Sequence, residues 1–174
     1  KNVEFDQNSD MAYILIRIAD NLKKLDKFDE AIETAKAAKK IALNKKSDNQ
    51  SWYIEAFIAE VLFYKKDFDS ALEIFSRVVD VFSLFGKDMQ EVKAKFFIAR
   101  ILKAQDKLNE SYDALSSLTE EIKIKSIEDN SFIIEVEEEL IQNLELLNKE
   151  ANNEEIEFRK RRIQNYQEIT TVKE

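Results

Sequence analysis

Apolar residues recur along most of the chain at steps of three and four positions. Near its start they are Met11, Leu15, Ile18, Leu22 and Leu25. An α-helix completes one turn about every 3.6 residues, so this spacing places the five side chains on one helical face. Similar spacing continues through the later stretches, which are separated by short polar breaks. The pattern predicts eight helices, over residues 10–25, 28–46, 50–65, 68–85, 88–105, 108–126, 131–148 and 152–172.

The helical pattern repeats with a period of 40 residues. Three segments align without gaps, namely 27–31 (Lys-Phe-Asp-Glu-Ala), 67–71 (Asp-Phe-Asp-Ser-Ala) and 107–111 (Lys-Leu-Asn-Glu-Ser). Alanine also recurs at 19, 59 and 99, and leucine at 22, 62 and 102. A fourth, degenerate copy would fall at residues 148–151. Agreement at several positions over three copies indicates an internal repeat whose units stack on one another.

The composition favours helices joined by short polar turns. The 174 residues include one glycine, no proline and no cysteine. β-Sandwiches and barrels need many glycine and proline turns, so the composition argues against them. Hydrophobic residues make up 44% and charged residues 36%, which is enough apolar material for a core. The predicted fold class is therefore all-α.

The repeated positions resemble the tetratricopeptide repeat (TPR) family. Its motif has a small residue midway along the first helix of a hairpin and a large apolar residue three positions later. An aromatic and a small residue then open the second helix. The three copies read Ala19, Leu22, Phe28 and Ala31; Ala59, Leu62, Phe68 and Ala71; and Ala99, Leu102, Leu108 and Ser111. The resemblance implies a right-handed α-solenoid of antiparallel hairpins, in which the small residues let paired helices approach closely.

This sequence departs from the family in its period and in its last copy. The period of 40 residues exceeds the family's usual 34 and resembles its long-helix branch. The family's proline is missing, and Glu139 occupies the small-residue position of the fourth copy. We expect one domain over residues 1–174, with repeats at about 10–48, 50–87 and 88–128 and a divergent or capping hairpin over 130–174. HEAT repeats are the alternative, although they usually carry a proline kink.

The residue types that most enzymes use are missing. The sequence has no histidine and no cysteine, so it lacks the commonest general base, the best side-chain nucleophile and the usual zinc ligands. A single glycine cannot form a phosphate-binding loop. Carboxylates cluster at 135–139 (Glu-Val-Glu-Glu-Glu), which we interpret as a solvated helix face. The sequence predicts that the chain is not an enzyme and has neither a metal site nor a cofactor.

The resemblance implies a concave groove, lined by the first helix of each hairpin, that binds a peptide or helix of another protein. The positions carried over are aromatic or charged, and aromatic and arginine side chains dominate interface hot spots. The predicted partner-binding residues are Tyr13, Arg17, Asp20, Tyr53, Phe57, Glu60, Tyr64, Lys93, Phe97 and Arg100. Lys23, Phe96 and Lys103 are expected beside them. The alternative for Tyr53, Phe57 and Phe96 is packing between neighbouring helices.

One binding mode of the family does not fit this sequence. Members that hold a peptide carboxylate do so with Lys, Asn and Arg side chains in the groove. The matching positions here are Ile16, Asp20, Phe57, Lys93 and Phe97, and only Lys93 is suitable. An acidic C-terminal tail is therefore not the predicted ligand.

The net charge of −8 disfavours nucleic acid as a partner, because phosphate binding requires a basic surface. No apolar run approaches the roughly 20 residues that cross a bilayer, so membrane insertion is not expected. Residues 152–174 are charged on nearly all sides and are expected to form a capping helix or a helix leading to a further domain. Their basic run at 159–162 (Arg-Lys-Arg-Arg) leaves contact with nucleic acid or anionic lipid as a less favoured interpretation.

These observations predict a protein–protein interaction module that serves as an adaptor or assembly scaffold. The alternative is a peptide-sensing regulatory domain that controls an output domain outside this sequence. The cytoplasm is the favoured location, although a first residue other than methionine leaves export after removal of a signal peptide open. The sequence sets neither the identity of the partner nor the oligomeric state.

Overall fold

The computed structural model describes residues 7–44, 48–147 and 153–171, and every regular element within these ranges is an α-helix. The predicted all-α class and the eight helices are confirmed for this part of the chain, and every helix end lies within about three residues of its predicted position. The degenerate segment at 148–151 lies outside the described residues. The helices are α1 (Gln7–Lys24), α2 (Phe28–Asn44), α3 (Asp48–Tyr64), α4 (Phe68–Leu84), α5 (Asp88–Ala104), α6 (Leu108–Ile124), α7 (Asn130–Leu146) and α8 (Asn153–Thr171).

A new helix begins every 20 residues through the middle of the chain. Helices α2 to α6 are each 17 residues long and begin at residues 28, 48, 68, 88 and 108. The 40-residue period of the sequence therefore contains two structurally equal halves. Helix α7 departs from this spacing and begins at residue 130. Asp129 caps it by accepting a hydrogen bond from the backbone amide of Phe132 at 3.1 Å.

The five turns that the structure describes, after α1, α3, α4, α5 and α6, share one backbone geometry. In the first, the Lys27 amide donates to the Leu22 carbonyl oxygen at 3.0 Å, and the Asp26 amide donates to the Lys23 carbonyl oxygen at 3.0 Å. An equivalent pair of bonds closes four further turns and satisfies carbonyl groups that a helix end leaves without partners. Each turn needs one residue with a left-handed backbone, and only one of the five is glycine. These residues are Asp26, Lys66, Gly86, Asp106 and Ser126, with φ between 52° and 68°.

Lys66→Gly is expected to raise the free energy of unfolding by about 1 kcal/mol. A left-handed backbone costs an L-residue roughly 1–2 kcal/mol, which the larger backbone entropy loss of glycine offsets only in part. Lys66 has a φ of 68° and an exposed side chain, so the substitution removes the strain without removing packing. Urea unfolding monitored by far-UV circular dichroism measures the change.

Two matched variants control this prediction. Lys66→Ala keeps the left-handed backbone and should leave the free energy of unfolding nearly unchanged. Gly86→Ala introduces the same strain at a φ of 60°, where the added Cβ would meet nothing within 4 Å, and should lower stability by about 1 kcal/mol. Equal stability of wild type and all three variants would show that these turns are not strained.

The chain divides into two compact units, unit 1 (Lys1–Val81) and unit 2 (Phe82–Glu174). The single domain over residues 1–174 and the right-handed superhelix stay predictions. In unit 1, α1, α2 and α3 pack around small and branched side chains. Ala19, Ala31 and Ala59 are fully buried, as expected for the small residues that let helices approach. The buried members of this core are Ala12, Ala19, Ala31, Ile32, Ala35, Ala38, Ala42, Ile54, Ile58 and Val61.

The five apolar residues expected on one face of the first helix do not pack alike, and Leu25 lies beyond the end of α1. Met11, Ile18 and Leu25 expose 48%, 45% and 68% of their surface, whereas Leu15 and Leu22 are half-buried. Alanines at positions 12 and 19 are fully buried instead, because their small side chains bring the backbone of α1 close to α2. The buried face of α1 is therefore rotated away from its most apolar face.

Unit 2 packs α5, α6 and α7 around larger side chains, and polar bonds join the three helices. Ser111 holds the small-residue position of α6 and is fully buried. Its Oγ donates to the Ala99 carbonyl oxygen at 2.8 Å and accepts a hydrogen bond from Asn143 Nδ2 at 2.9 Å. The buried members of this core are Val92, Phe96, Ala99, Leu115, Leu118, Ile122, Phe132, Ile133, Val136 and Leu140.

The acidic run at 135–139 is only partly the solvated face that the sequence suggested. Glu138 is exposed, but Glu137 is fully buried and Glu139 is only 7% exposed. The interpretation was wrong for these two residues because their cationic partners lie on other helices and are distant in sequence. Their burial shows that α7 has charged contacts on two of its sides.

The basic run at 159–162 also turns partly inward. Arg159 Nη1 donates to Glu137 Oε2 at 2.9 Å, and Arg162 Nη1 lies 3.0 Å from Glu137 Oε1. Arg159 is held further by Glu155, 2.6 Å from its Nη2. Two of the four basic side chains therefore hold α8 against α7, which leaves a weaker basic surface than the sequence suggested.

Candidate functional site

In unit 1, predicted binding residues of α1 and α3 surround Lys23. Lys23 Nζ donates to Glu60 Oε1 at 2.6 Å and lies 3.0 Å from Asp20 Oδ1. The same ammonium group lies 5.2 Å from the ring centroid of Phe57 and 5.8 Å from that of Tyr64. One cation is thus enclosed by two carboxylates and two aromatic rings. We name these five residues the Lys23 cluster.

Ion pairing within the Lys23 cluster stabilises the charged forms of Lys23 and Asp20. Burial opposes the charge of Lys23, but the hydrogen bond to Glu60 and the ion pair with Asp20 outweigh it and raise the pKa of the ammonium. At Asp20 the hydrogen bond from Lys24 is the largest effect, and together with Lys23 it lowers the pKa of the carboxyl. Lys23 and Asp20 therefore remain ionised and paired across the neutral pH range. The cluster joins the faces of α1 and α3 that carry the predicted site.

Tyrosine side chains beside the Lys23 cluster are accessible. Tyr13 exposes 61% of its surface, Tyr53 exposes 39% and Tyr64 exposes 42%. Arg17 is exposed as well, one helical turn from Tyr13 on the same face of α1. The Lys23–Glu60 bond joins the two helices that carry these residues. One continuous tyrosine surface across them stays a prediction.

In unit 2, the corresponding face of α5 carries a second charged cluster, which we name the Arg100 cluster. The guanidinium of Arg100 lies 5.5 Å from the ring centroid of Phe96 and 5.6 Å from that of Phe97. Its Nε lies 3.4 Å from Glu139 Oε2, and its Nη1 lies 3.8 Å from Glu135 Oε1. Both carboxylates belong to α7, so this arginine joins the first helices of two successive hairpins.

Two lysines of α5 extend the contact between α5 and α7. Lys103 forms an ion pair with Glu139, and its Nζ donates to Gln142 Oε1 at 2.9 Å. Lys93 Nζ lies 3.9 Å from Asp129 Oδ2. The charges on the predicted binding face of α5 are therefore largely neutralised by charges of the chain itself.

Sequence reasoning missed the contribution of α7 to this face. It included only α1, α3 and α5, whereas Glu135 and Glu139 of α7 pair with Arg100. The sequence did contain an indication of this contact. Glu139 replaces the small residue of the repeat and lies 39 residues, about one period, after Arg100. Phe96 is 2% exposed, and its ring centroid lies 5.5 Å from that of Phe132, so the packing alternative is correct for Phe96.

The predicted binding residues fall into two groups. Unit 1 brings Asp20, Phe57, Glu60 and Tyr64 together in the Lys23 cluster, with the other predicted residues of α1 and α3 on the same faces. Unit 2 brings Phe97 and Arg100 together, and Lys93 approaches α7 nearby. A continuous groove from α1 to α5 stays a prediction.

Within residues 7–44, 48–147 and 153–171, no group of three or more carboxylates is placed to hold a metal ion. In the same ranges no helix combines the length and the apolar character that crossing a bilayer requires.

Solved structures of TPR-like repeats match the chain. One is a kinesin light chain-like protein from Podosopora anserina with nearly identical repeats, at 12% identity and a TM-score of 0.45, covering 92% of this chain and 97% of that one. Another is a single-substitution form of that protein, at 11% identity and a TM-score of 0.45, covering 97% of this chain and 100% of that one. No protein-family model matches the chain, and no curated protein does.

Proposed function

We propose that the chain is a protein–protein interaction module, an adaptor or assembly scaffold that binds a peptide or helix on the face formed by the first helices of its hairpins. The observation that supports this most directly is the exposure of Tyr13, Tyr53 and Tyr64 around the paired charges of the Lys23 cluster. Tyrosine offers a large contact area and a hydroxyl for little conformational entropy, which suits it to interfaces.

We expect a partner to pack against the aromatic rings of this surface rather than to be attracted by its charges. Lys23 already has two carboxylate partners, and Arg100 has two more in α7. A partner that bound these cations would have to displace ion pairs that the fold supplies. We therefore expect the partner to present apolar side chains and hydrogen-bonding groups, with an affinity that depends only weakly on salt.

A photo-crosslinking experiment tests the proposed surface. Benzoylphenylalanine is introduced at Tyr13 or Tyr53, the protein is incubated in native lysate, and crosslinked proteins are identified by mass spectrometry. Both positions should capture the same partner, because the Lys23–Glu60 bond at 2.6 Å places their helices side by side. The matched control is benzoylphenylalanine at Leu43, an apolar residue of α2 in the same unit that exposes 48% of its surface.

The outcomes separate this surface from others. A partner crosslinked from Tyr13 and Tyr53 but not from Leu43 supports the proposal, and Tyr53→Ala should weaken its binding at least about tenfold if the side chain is a hot spot. A partner captured equally from Leu43, or from neither tyrosine, would assign binding to another face of the chain.

A further inference from the structure

Helix α8 docks in unit 2 with few buried apolar side chains. Among residues 153–170, only Ile156 and Arg159 are buried, and one of these two is charged. Helix α6, the second helix of the preceding hairpin, buries Leu115, Leu118 and Ile122 to 5% exposure or less. Because apolar burial is the main favourable contribution to packing, α8 is held by less of it than α6 is.

Polar contacts hold α8 along its length instead. Near the start of α8, the Tyr112 hydroxyl of α6 donates to Glu155 Oε1 at 2.8 Å. Near its end, Asn130 Nδ2 of α7 donates to Thr170 Oγ1 at 3.3 Å, and the two ion pairs of Glu137 lie between these bonds. A buried ion pair adds little net stability, because desolvation of both charges offsets most of their attraction. These contacts therefore fix the position of α8 more than they strengthen its docking.

The face beneath α8 is more apolar than α8 itself. Arg162 and Tyr166 of α8 border a small cavity above this face. The residues of α6 and α7 that line the same cavity include Thr119, Ile122, Ile133 and Val136. A second, open cavity of about 440 Å³ lies beside the last turns of α8, where Ile169 is still 48% exposed. Helix α8 is charged and loosely packed, yet it covers apolar surface that would otherwise face solvent.

The other helices of unit 2 are linked to one another without α8. The buried members of their shared core, named above, all belong to α5, α6 and α7, and α8 adds the partly buried Tyr166. Ser111 Oγ bonds both the Ala99 carbonyl oxygen and Asn143 Nδ2, so one buried hydroxyl joins all three helices. Release of α8 would leave these contacts in place.

We propose that α8 is a releasable cap, which opens from α6 and α7 as one unit while α5, α6 and α7 stay folded. A segment with few buried apolar contacts opens at a lower free energy than the whole protein. The closed form hides the apolar face that includes Ile133 and Val136, and the open form makes this face accessible. The cap therefore controls access to a surface of unit 2 that is separate from the tyrosines of the proposed function, which belong to unit 1.

Two matched cysteine reporters test this proposal. The chain has no cysteine, so each substitution creates a single thiol. Val136 beneath α8 and Val92 on α5 are both fully buried, and each is replaced by cysteine in the full 174-residue chain. Modification by dithiobis(nitrobenzoate) under native conditions should be at least about tenfold faster at Val136→Cys than at Val92→Cys. The rate at Val136→Cys should also rise less steeply with urea, because opening of α8 exposes less surface than unfolding of the unit.

A charge variant tests what keeps the cap closed. Arg159→Met removes one cationic partner of the buried Glu137 carboxylate, which loses part of its charge compensation. Modification at Val136→Cys should therefore become at least about tenfold faster. The matched control is Arg161→Met, two positions along α8, where the side chain is exposed and the rate should stay within about twofold.

Three results would overturn the proposal. Equal rates and equal urea dependence at Val136→Cys and Val92→Cys would mean that α8 opens only when the whole unit unfolds. Modification at Val136→Cys as fast as at the exposed position of Glu138→Cys would mean that α8 does not close. Equal rates in the Arg159→Met and Arg161→Met variants would mean that the buried ion pair does not keep α8 docked.

Discussion

Glu137→Gln is expected to lower the stability of unit 2 by about 3 kcal/mol. Glu137 is fully buried and bonded to Arg159, whose side chain is 9% exposed, and to Arg162. The substitution removes the negative charge and leaves two guanidinium groups against a buried amide. Removing one partner of a buried ion pair typically costs about 3–5 kcal/mol, because the remaining charge is left without compensation. Because Glu155 still pairs with Arg159, we expect a loss of stability at the lower end of this range.

Urea unfolding by far-UV circular dichroism measures this effect, and hydrogen exchange locates it. The matched control is Glu138→Gln, one position along the same helix, where the side chain is exposed and the change should stay within about 0.5 kcal/mol. Exchange of backbone amides should accelerate in α7 and α8. A second variant, Glu137→Met with Arg159→Met, replaces the pair by apolar groups and should recover most of the lost stability. Equal stability of Glu137→Gln and Glu138→Gln would show that the buried pair does not hold α8.

Phe96→Ala is expected to cost about 3–4 kcal/mol of stability, in the lower part of the range of about 3–5 kcal/mol for large aromatic deletions in protein cores. Phe96 is 2% exposed, and its ring lies edge-on to Phe132 with centroids 5.5 Å apart. The guanidinium of Arg100 lies over the same ring at 5.5 Å from its centroid. Truncation would leave a cavity between α5 and α7 and would remove one surface that positions this arginine.

The neighbouring aromatic provides the control. Phe97 is only half-buried, so Phe97→Ala should cost less than about half as much when both variants are unfolded in urea. If Phe96 instead served a partner directly, Phe96→Ala would leave stability near the wild-type value and reduce only binding. Comparable stability losses in the two variants would mean that the core of unit 2 does not centre on Phe96.

Much of this fold could be predicted from the spacing of residues. Alanine at 19, 59 and 99 and leucine at 22, 62 and 102 fix the register of the repeat, and polar breaks fix the helix ends to within about three residues. The equal 20-residue halves were not apparent, because the two helices of a hairpin bury different residue types. The left-handed backbone at Asp26, Lys66 and Asp106 was also not predicted, because glycine is the residue that usually adopts this conformation and none occurs at these positions.

The charged contacts were harder to predict because they depend on tertiary structure. Glu137 and Glu139 belong to a run that has the composition of a solvated face, and their cations come from residues 20 to 40 positions away. Sequence reasoning did place Lys23 on the binding face. It did not show that Asp20, Glu60 and two rings already enclose it, because the approach of α1 to α3 sets those distances.

The regular 20-residue spacing of helix starts also bears on how the chain folds. The side-chain bonds between helices that hold each unit, such as Lys23–Glu60 and Ser111–Ala99, join residues separated by 37 and 12 positions. Each of these bonds closes within one 40-residue period, and the entropic cost of closing a loop grows only slowly with its length. Each hairpin therefore finds most of its native neighbours soon after the next helix leaves the ribosome. Folding can then follow synthesis from one end of the chain to the other without waiting for its last residues.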